Sequence, residues 1–149
     1  MRLPLVPALG MVALVSSGAR VPAPVPAAPH LAERTVWDSV FTAEQAARGE
    51  ASYERTCARC HQSSLGGADE APALAGATFL GKWNGLSLGD LHDRVRTTMP
   101  PREAGIYGRQ LVTDVIAYLL SANEFPAGAG ELPVDDVALR GIRVLVSRP

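Results

Sequence analysis

The sequence predicts an all-α domain of three main helices joined by long loops, and three observations predict it. Segments 42–57, 87–98 and 109–123 carry helix formers or apolar residues at helical spacing. No alternating apolar–polar run of any length precedes residue 140. Between the first two helices lies a glycine-rich stretch, residues 62–85, with no sustained period. A loop that long in a compact domain has to pack against something or serve a function.

The bulk numbers narrow the class. A chain of 149 residues accommodates one domain with appendages. A net charge of −1 supplies no basic field for nucleic acid. Aromatics make up only 5% of the residues, so a bound group is a candidate for the missing large apolar body.

The N-terminus reads as an export signal over residues 1–19. Arg2 is its charged start, Leu5 to Val15 is apolar but too short to span a membrane, and Ser17-Gly18-Ala19 offers small residues for cleavage after Ala19. Cleavage there removes Arg2 and takes the charge from −1 to −2. A periplasmic or otherwise exported location is therefore expected, with no stable membrane span. Residues 20–40 form a spacer and lead-in; prolines 22, 24, 26 and 29 make its first part extended and solvated, and His30 sits beside it. The domain proper is expected over 41–125, with a C-terminal extension over 126–149.

The first helix, Thr42 to Cys57, has Thr42 as cap and Gln45 in position to complete a capping box. Gly49 is its odd residue and suggests that another backbone packs over it; Gly49, Tyr53 and Cys57 share a face. The second helix starts at Ser87, with Asp90 three residues on. Leu88, Leu91 and Val95 make its apolar face, and Met99-Pro100-Pro101 ends it. In the third, Leu111, Val112, Val115, Ile116 and Leu119 follow the helical period, and Asn123 is placed for a left-handed stop. The tail is expected to form a helical turn after Asp135, then an extended docked segment at "IRVLV".

The chemistry concentrates in "CARCH", residues 57–61, which holds both cysteines of the chain. A redox disulfide of the thioredoxin kind belongs at a helix start beside a strand–helix–strand unit; here the cysteines end a helix. A structural zinc site needs four ligands. Cys57, Cys60 and His61 offer three at most, and His92 would have to close the site alone. A Cys-x-x-Cys-His run that anchors one covalent haem c uses every residue, with His61 directed at the iron.

Met99 is the only methionine outside the apolar N-terminus and the candidate for the opposite axial position, so the metal ligands expected are His61 and Met99. His92 is the rival, although its place inside the second helix suits a solvated histidine better. A ligating histidine donates its other ring N–H to a fixed acceptor, for which the Pro72 carbonyl is a candidate; Leu74 can then pack on the porphyrin. Trp83 either directs its indole N–H at a haem propionate or serves as core packing.

On these residues the chain resembles class I mono-haem c-type cytochromes. Gly49, Tyr53 and Cys57 match the family's N-terminal helix, and "VIAYL", residues 115–119, matches its C-terminal helix. The resemblance implies the cytochrome c fold, helices and long loops wrapped around one covalent haem, and a close crossing of those two helices at the glycine. The stretches "FLGKWNG", "RTTMPP", "DVIAYLLSANEFPAG" and "ELPVDDVALRGIRV" are similar to bacterial periplasmic cytochromes found with quinoprotein (PQQ) dehydrogenases.

With both axial positions filled by protein, iron offers no site for a substrate, so the expected role is an electron carrier rather than an enzyme, alone or as a subunit of a dehydrogenase complex. The resemblance implies a quinoprotein dehydrogenase as donor and another cytochrome or a terminal oxidase as acceptor. A haem enzyme or gas sensor with a labile Met99 is the alternative. Lys82, Arg94, Arg96, Arg102 and Arg109 fall along the same loops and helices, where they form either an acidic partner's target or a mixed solvated surface.

Overall fold

The computed structural model describes residues 33–149; the expected export signal, the whole proline-rich part of the spacer and His30 lie outside the described residues. Among the described residues there are six α-helices and one two-stranded sheet. Strand β1 (Arg34–Thr35) leads into helix α1 (Ala43–Thr56). The Thr42 hydroxyl accepts the Gln45 N–H at 3.1 Å, half of the expected capping box. The Gln45 side chain does not turn back to close the box. It is fully buried, so its amide takes buried partners. Oε1 accepts the Leu132 N–H at 2.6 Å, while Nε2 donates to the Leu132 carbonyl at 3.1 Å and to Asp114 at 3.2 Å.

After the single turn α2 (Ala58–His61), the chain enters the glycine-rich stretch. This stretch is not wholly loop: α3 (Gly76–Trp83) occupies its second half. Phe79 and Trp83, four apart, bury one face of α3, a spacing too short to stand out among glycines. Helix α4 (Leu88–Thr98) opens with a complete capping box between Ser87 and Asp90, and those bonds hold the Asp90 carboxyl below its usual range.

Helix α5 (Arg109–Ala122) crosses α1 closely at Gly49. A Cβ added at Gly49 would stand 1.9 Å from the Asp114 carbonyl oxygen and 3.0 Å from Tyr118 Cβ, so glycine is required by the partner backbone. Asn123 ends α5 at φ −96°, not in the left-handed region; Glu124 takes that conformation at φ 65°. Asn123 is committed elsewhere through its side chain.

The tail folds onto the same core. Asp135 caps α6 (Asp136–Arg140), and strand β2 (Ile142–Arg143) pairs parallel with β1, Arg34 against Ile142 and Thr35 against Arg143. Val36, Val40 and Phe41 are buried in one cluster with Leu132, Leu139, Ile142 and Val144. The Trp37 indole N–H donates to the Leu145 carbonyl at 2.9 Å, and the Val144 N–H to the Leu86 carbonyl at 2.9 Å.

Candidate functional site

CARCH is built as one helical turn. Cys57 caps the end of α1, and its carbonyl accepts the N–H groups of Cys60 at 3.1 Å and His61 at 3.0 Å. Gln62 then reverses the chain at φ 63°, and its carbonyl accepts the buried Tyr53 hydroxyl at 2.7 Å. Burial drives the Tyr53 phenol well above its ordinary pKa, which keeps it a donor. Both cysteines are free thiols; Cys57 is half-buried and Cys60 exposed. Burial pushes the Cys57 thiol up, against a lowering contact from the Thr56 hydroxyl.

His61 is 9% exposed, and its Nδ1 lies 2.8 Å from the Pro72 carbonyl oxygen. A carbonyl only accepts, so the proton sits on Nδ1 and the Nε2 lone pair is free. The loop reaches this position through Gly67. At φ 75° its Cβ would stand 2.4 Å from the Ala71 carbonyl oxygen and 2.7 Å from the Pro72 carbonyl carbon. Any other residue there would push away the segment that holds the imidazole.

Cys57, Cys60, His61, Pro72, Leu74, Trp83 and Met99 all line one cavity of about 260 Å³. Its apolar walls come from Phe79 on α3, Leu91 and Val95 on α4, and Leu111, Val112, Val115 and Leu119 on α5. Trp83 is 7% exposed, its ring centroid 6.4 Å from that of Phe79. Met99 stands at the end of α4 in extended backbone, its N–H bonded to the Val95 carbonyl at 2.9 Å. Lys82, Arg94 and Tyr107 also line the cavity. Tyr107 follows the glycine-rich turn before α5, where no periodicity marks it.

Two of the expected placements change. His92 is neither solvated nor at the cavity: it is fully buried, and its Nε2 lies 3.4 Å from the Arg109 carbonyl oxygen. Its Nδ1 faces Asp136 at 3.9 Å, and burial lowers its pKa. The reason is α6, which covers the face of α4 that a lone helix would leave to solvent. Arg109 is likewise withdrawn from the exposed basic set, because both its terminal nitrogens bond the Asp136 carboxylate. His92, Asp93 and Asp136 stand close enough together to suit a metal ion. Both carboxylates are already matched, Asp136 by Arg109 and Asp93 by Arg140, so the cluster is an ion-pair junction.

The donor set at the cavity fits a covalently attached haem. Two thiols precede, within one turn, an imidazole whose Nδ1 is already tied back, a thioether lines the same space, and the remaining lining is largely apolar. Among the described residues, no helix is long and apolar enough to cross a membrane.

Comparison with known proteins agrees with the donor set. The family model described as cytochrome C oxidase, cbb3-type, subunit III matches residues 44–119, from the start of α1 to near the end of α5. Among curated proteins, no sequence matches this chain. Among solved structures, the sulfane dehydrogenase SoxCD from Paracoccus pantotrophus is similar at 22% identity and a TM-score of 0.42. That alignment covers 70% of this chain, which spans about 60% of the length of the matched one. The two thiols, the tethered imidazole and the apolar cavity lie within the span of that family model, and the chain belongs to this family of c-type cytochromes, whose haem chemistry is electron transfer between redox partners.

Proposed function

We propose that this protein is a periplasmic electron carrier with one haem c, held by Cys57 and Cys60 and ligated by His61 and Met99. The single observation that carries the reading is the convergence of all four residues on one largely apolar cavity, with the His61 Nδ1–H already engaged by Pro72. When bound, the haem supplies a reversible one-electron couple at iron.

The chain's own residues do the rest. The Pro72 carbonyl holds the tautomer and ring plane of His61 and raises the basicity of Nε2. The proline pair after Met99 restricts the backbone that carries the thioether. Leu74 and the walls from α3, α4 and α5 exclude water, which disfavours the more highly charged state and favours the reduced one. Trp83, which lines the same cavity, would offer its indole N–H to a propionate. Ligation by His61 and Met99 would leave no open position for a substrate, and the chemistry supplied would then be outer-sphere electron transfer.

Docking is transient and small, around the exposed side of the cavity near Cys60. The donor is a quinoprotein dehydrogenase and the acceptor a further cytochrome or a terminal oxidase, a pairing supported by the sequence similarity described above. Residues 1–19 direct export and are removed, and 20–40 form a spacer and lead-in whose last residues pack with the 126–149 extension onto the domain of 41–125.

Absorption spectra of protein expressed with export and a haem-attachment system test this. The expected result is haem that resists extraction and adds one haem mass to the chain, with a sulfur-to-ferric-iron band that M99A abolishes. M99A should also lower the potential, by on the order of 0.1 V within the ~0.8 V range that axial ligands set, and admit external ligands. Colourless protein of unchanged mass overturns the haem reading; an M99A spectrum identical to the parent's overturns Met99 as ligand.

A further inference from the structure

We infer that Asn123 is the positioning residue that locks the axial imidazole of His61, acting from the far end of α5 through the Pro72 loop. The inference rests on the reading of His61 as an iron ligand and goes beyond it, since Asn123 does not line the cavity.

Asn123 is 9% exposed, and its side chain makes three hydrogen bonds to two different segments. Its Nδ2 donates to the Leu119 carbonyl at 2.8 Å, within α5, and to the Leu74 carbonyl at 3.1 Å. Its Oδ1 accepts the Gly76 N–H at 2.9 Å. Gly76 is the first residue of α3, whose own cap residue, Ala75, has no side-chain acceptor to offer. One amide therefore caps the start of α3, fixes the exit of the 65–75 loop and anchors both to the end of α5.

Leu74 is two residues beyond Pro72. The loop between them has few other ties: the Leu74 N–H bonds the Leu65 carbonyl at 2.8 Å, and Ala68 and Ala71 bond each other. Pro72 itself is exposed and donates no backbone N–H. The carbonyl that holds the His61 ring is thus placed by what grips the chain on either side of it. Upstream the grip is Gly67, whose N–H bonds the His61 carbonyl at 3.0 Å; downstream Leu74 is held at its N–H by Leu65 and at its carbonyl by Asn123, whose side chain ties this loop to α5 and α3 together. An aspartate would keep the acceptor for Gly76 but lose both donors, and an alanine would lose all three bonds. The Leu119 carbonyl keeps the Asn123 backbone N–H, but the half-buried Leu74 carbonyl would lose its side-chain partner, and the loop would shift to hydrate it.

The test is solvent exchange of the His61 Nδ1–H in the reduced, 15N-labelled holoprotein, compared with N123A and N123D. In N123A this proton is expected to exchange about tenfold faster, while the amides of Val115, Ile116 and Ala117 on α5 stay within about twofold of the parent. A proton that exchanges at the parental rate overturns the inference. So does acceleration shared equally by the α5 amides, which is what a general loss of stability would give. N123D keeps the cap on α3 and guards against an N123A that does not fold: acceleration at His61 supports the inference, and the parental rate overturns it. A parent that lacks iron-bound His61 would reveal this in its own spectrum before any substitution, so failure of the ligand reading and failure of this inference are read separately.

Discussion

Helix α5 has two working faces, and they are finished in opposite ways. Along Gln110, Asp114 and Tyr118 it meets α1 so closely that backbone touches backbone at Gly49. That face is completed by protein alone: the Asp114 carboxylate takes bonds from Gln45, Arg48 and Gln110, and the rings of Tyr53 and Tyr118 stand 5.3 Å apart. Along Leu111, Val112, Val115 and Leu119 the same helix lines a cavity. An apolar face is stabilised only by atoms packed against it, and on this side the lining is shaped for a group other than polypeptide. The comparison separates what the polypeptide completes by itself from what it leaves for the haem to complete.

The largest expected effect breaks the cavity side alone. The C57A/C60A variant cannot attach haem covalently, so α3, α4 and the 65–75 loop should lose fixed packing. Residual helix should persist at the α1–α5 crossing. Circular dichroism with amide exchange checks this; equal loss of protection on both faces of α5 would erase the distinction.

A smaller effect breaks the other side. G49A puts a methyl group against the Asp114 backbone, where no flexible side chain is available to yield. Overpacking of this kind costs about 3 kcal/mol. In the holoprotein it should lower the denaturation midpoint while leaving the ligand bands in place. Parental stability in G49A would show that the crossing is looser than its geometry.

The smallest effect is a pH dependence at the back of α4. Burial depresses His92, whose surroundings are the Arg109 backbone and side chain, Asp136 on α6 and Arg96 on its own helix. The folded state therefore prefers the neutral ring. Below the ordinary histidine value of about 6.5, the unfolded chain binds a proton that the folded one resists, so stability falls as pH drops through that value toward the depressed one. H92Q, measured by urea midpoint from neutral to mildly acidic pH, should flatten that fall. An unchanged slope would remove His92 as its source.

Much of this was readable along the chain because the signals are local. Thr42, Ser87 and Asp135 cap the helices that follow them, and the Val112–Leu119 period marks α5. The cysteines, His61, Pro72, Leu74, Trp83 and Met99 could be named from motif and chemistry before their meeting at one cavity was known. Other features have no local signal. Gln45 looks like half of a capping box until Leu132 supplies its true partner, 87 residues away. His92 looks solvated until α6 covers it. Helix α3 is hidden by its glycines, and the β1–β2 pairing joins segments more than 100 residues apart.

The sequence by itself determined where three main helices begin and end, and which side chains are candidates to hold a haem. Caps, periods and a five-residue motif act over one or two turns, so their physics lies within a short window of chain. Only the tertiary structure decided which face of α5 meets protein and which meets the cavity, why Asn123 is not a left-handed stop, and which charges are neutralised by the tail. Those outcomes depend on buried polar groups finding partners, and the partners come from whichever distant segment the fold brings within reach.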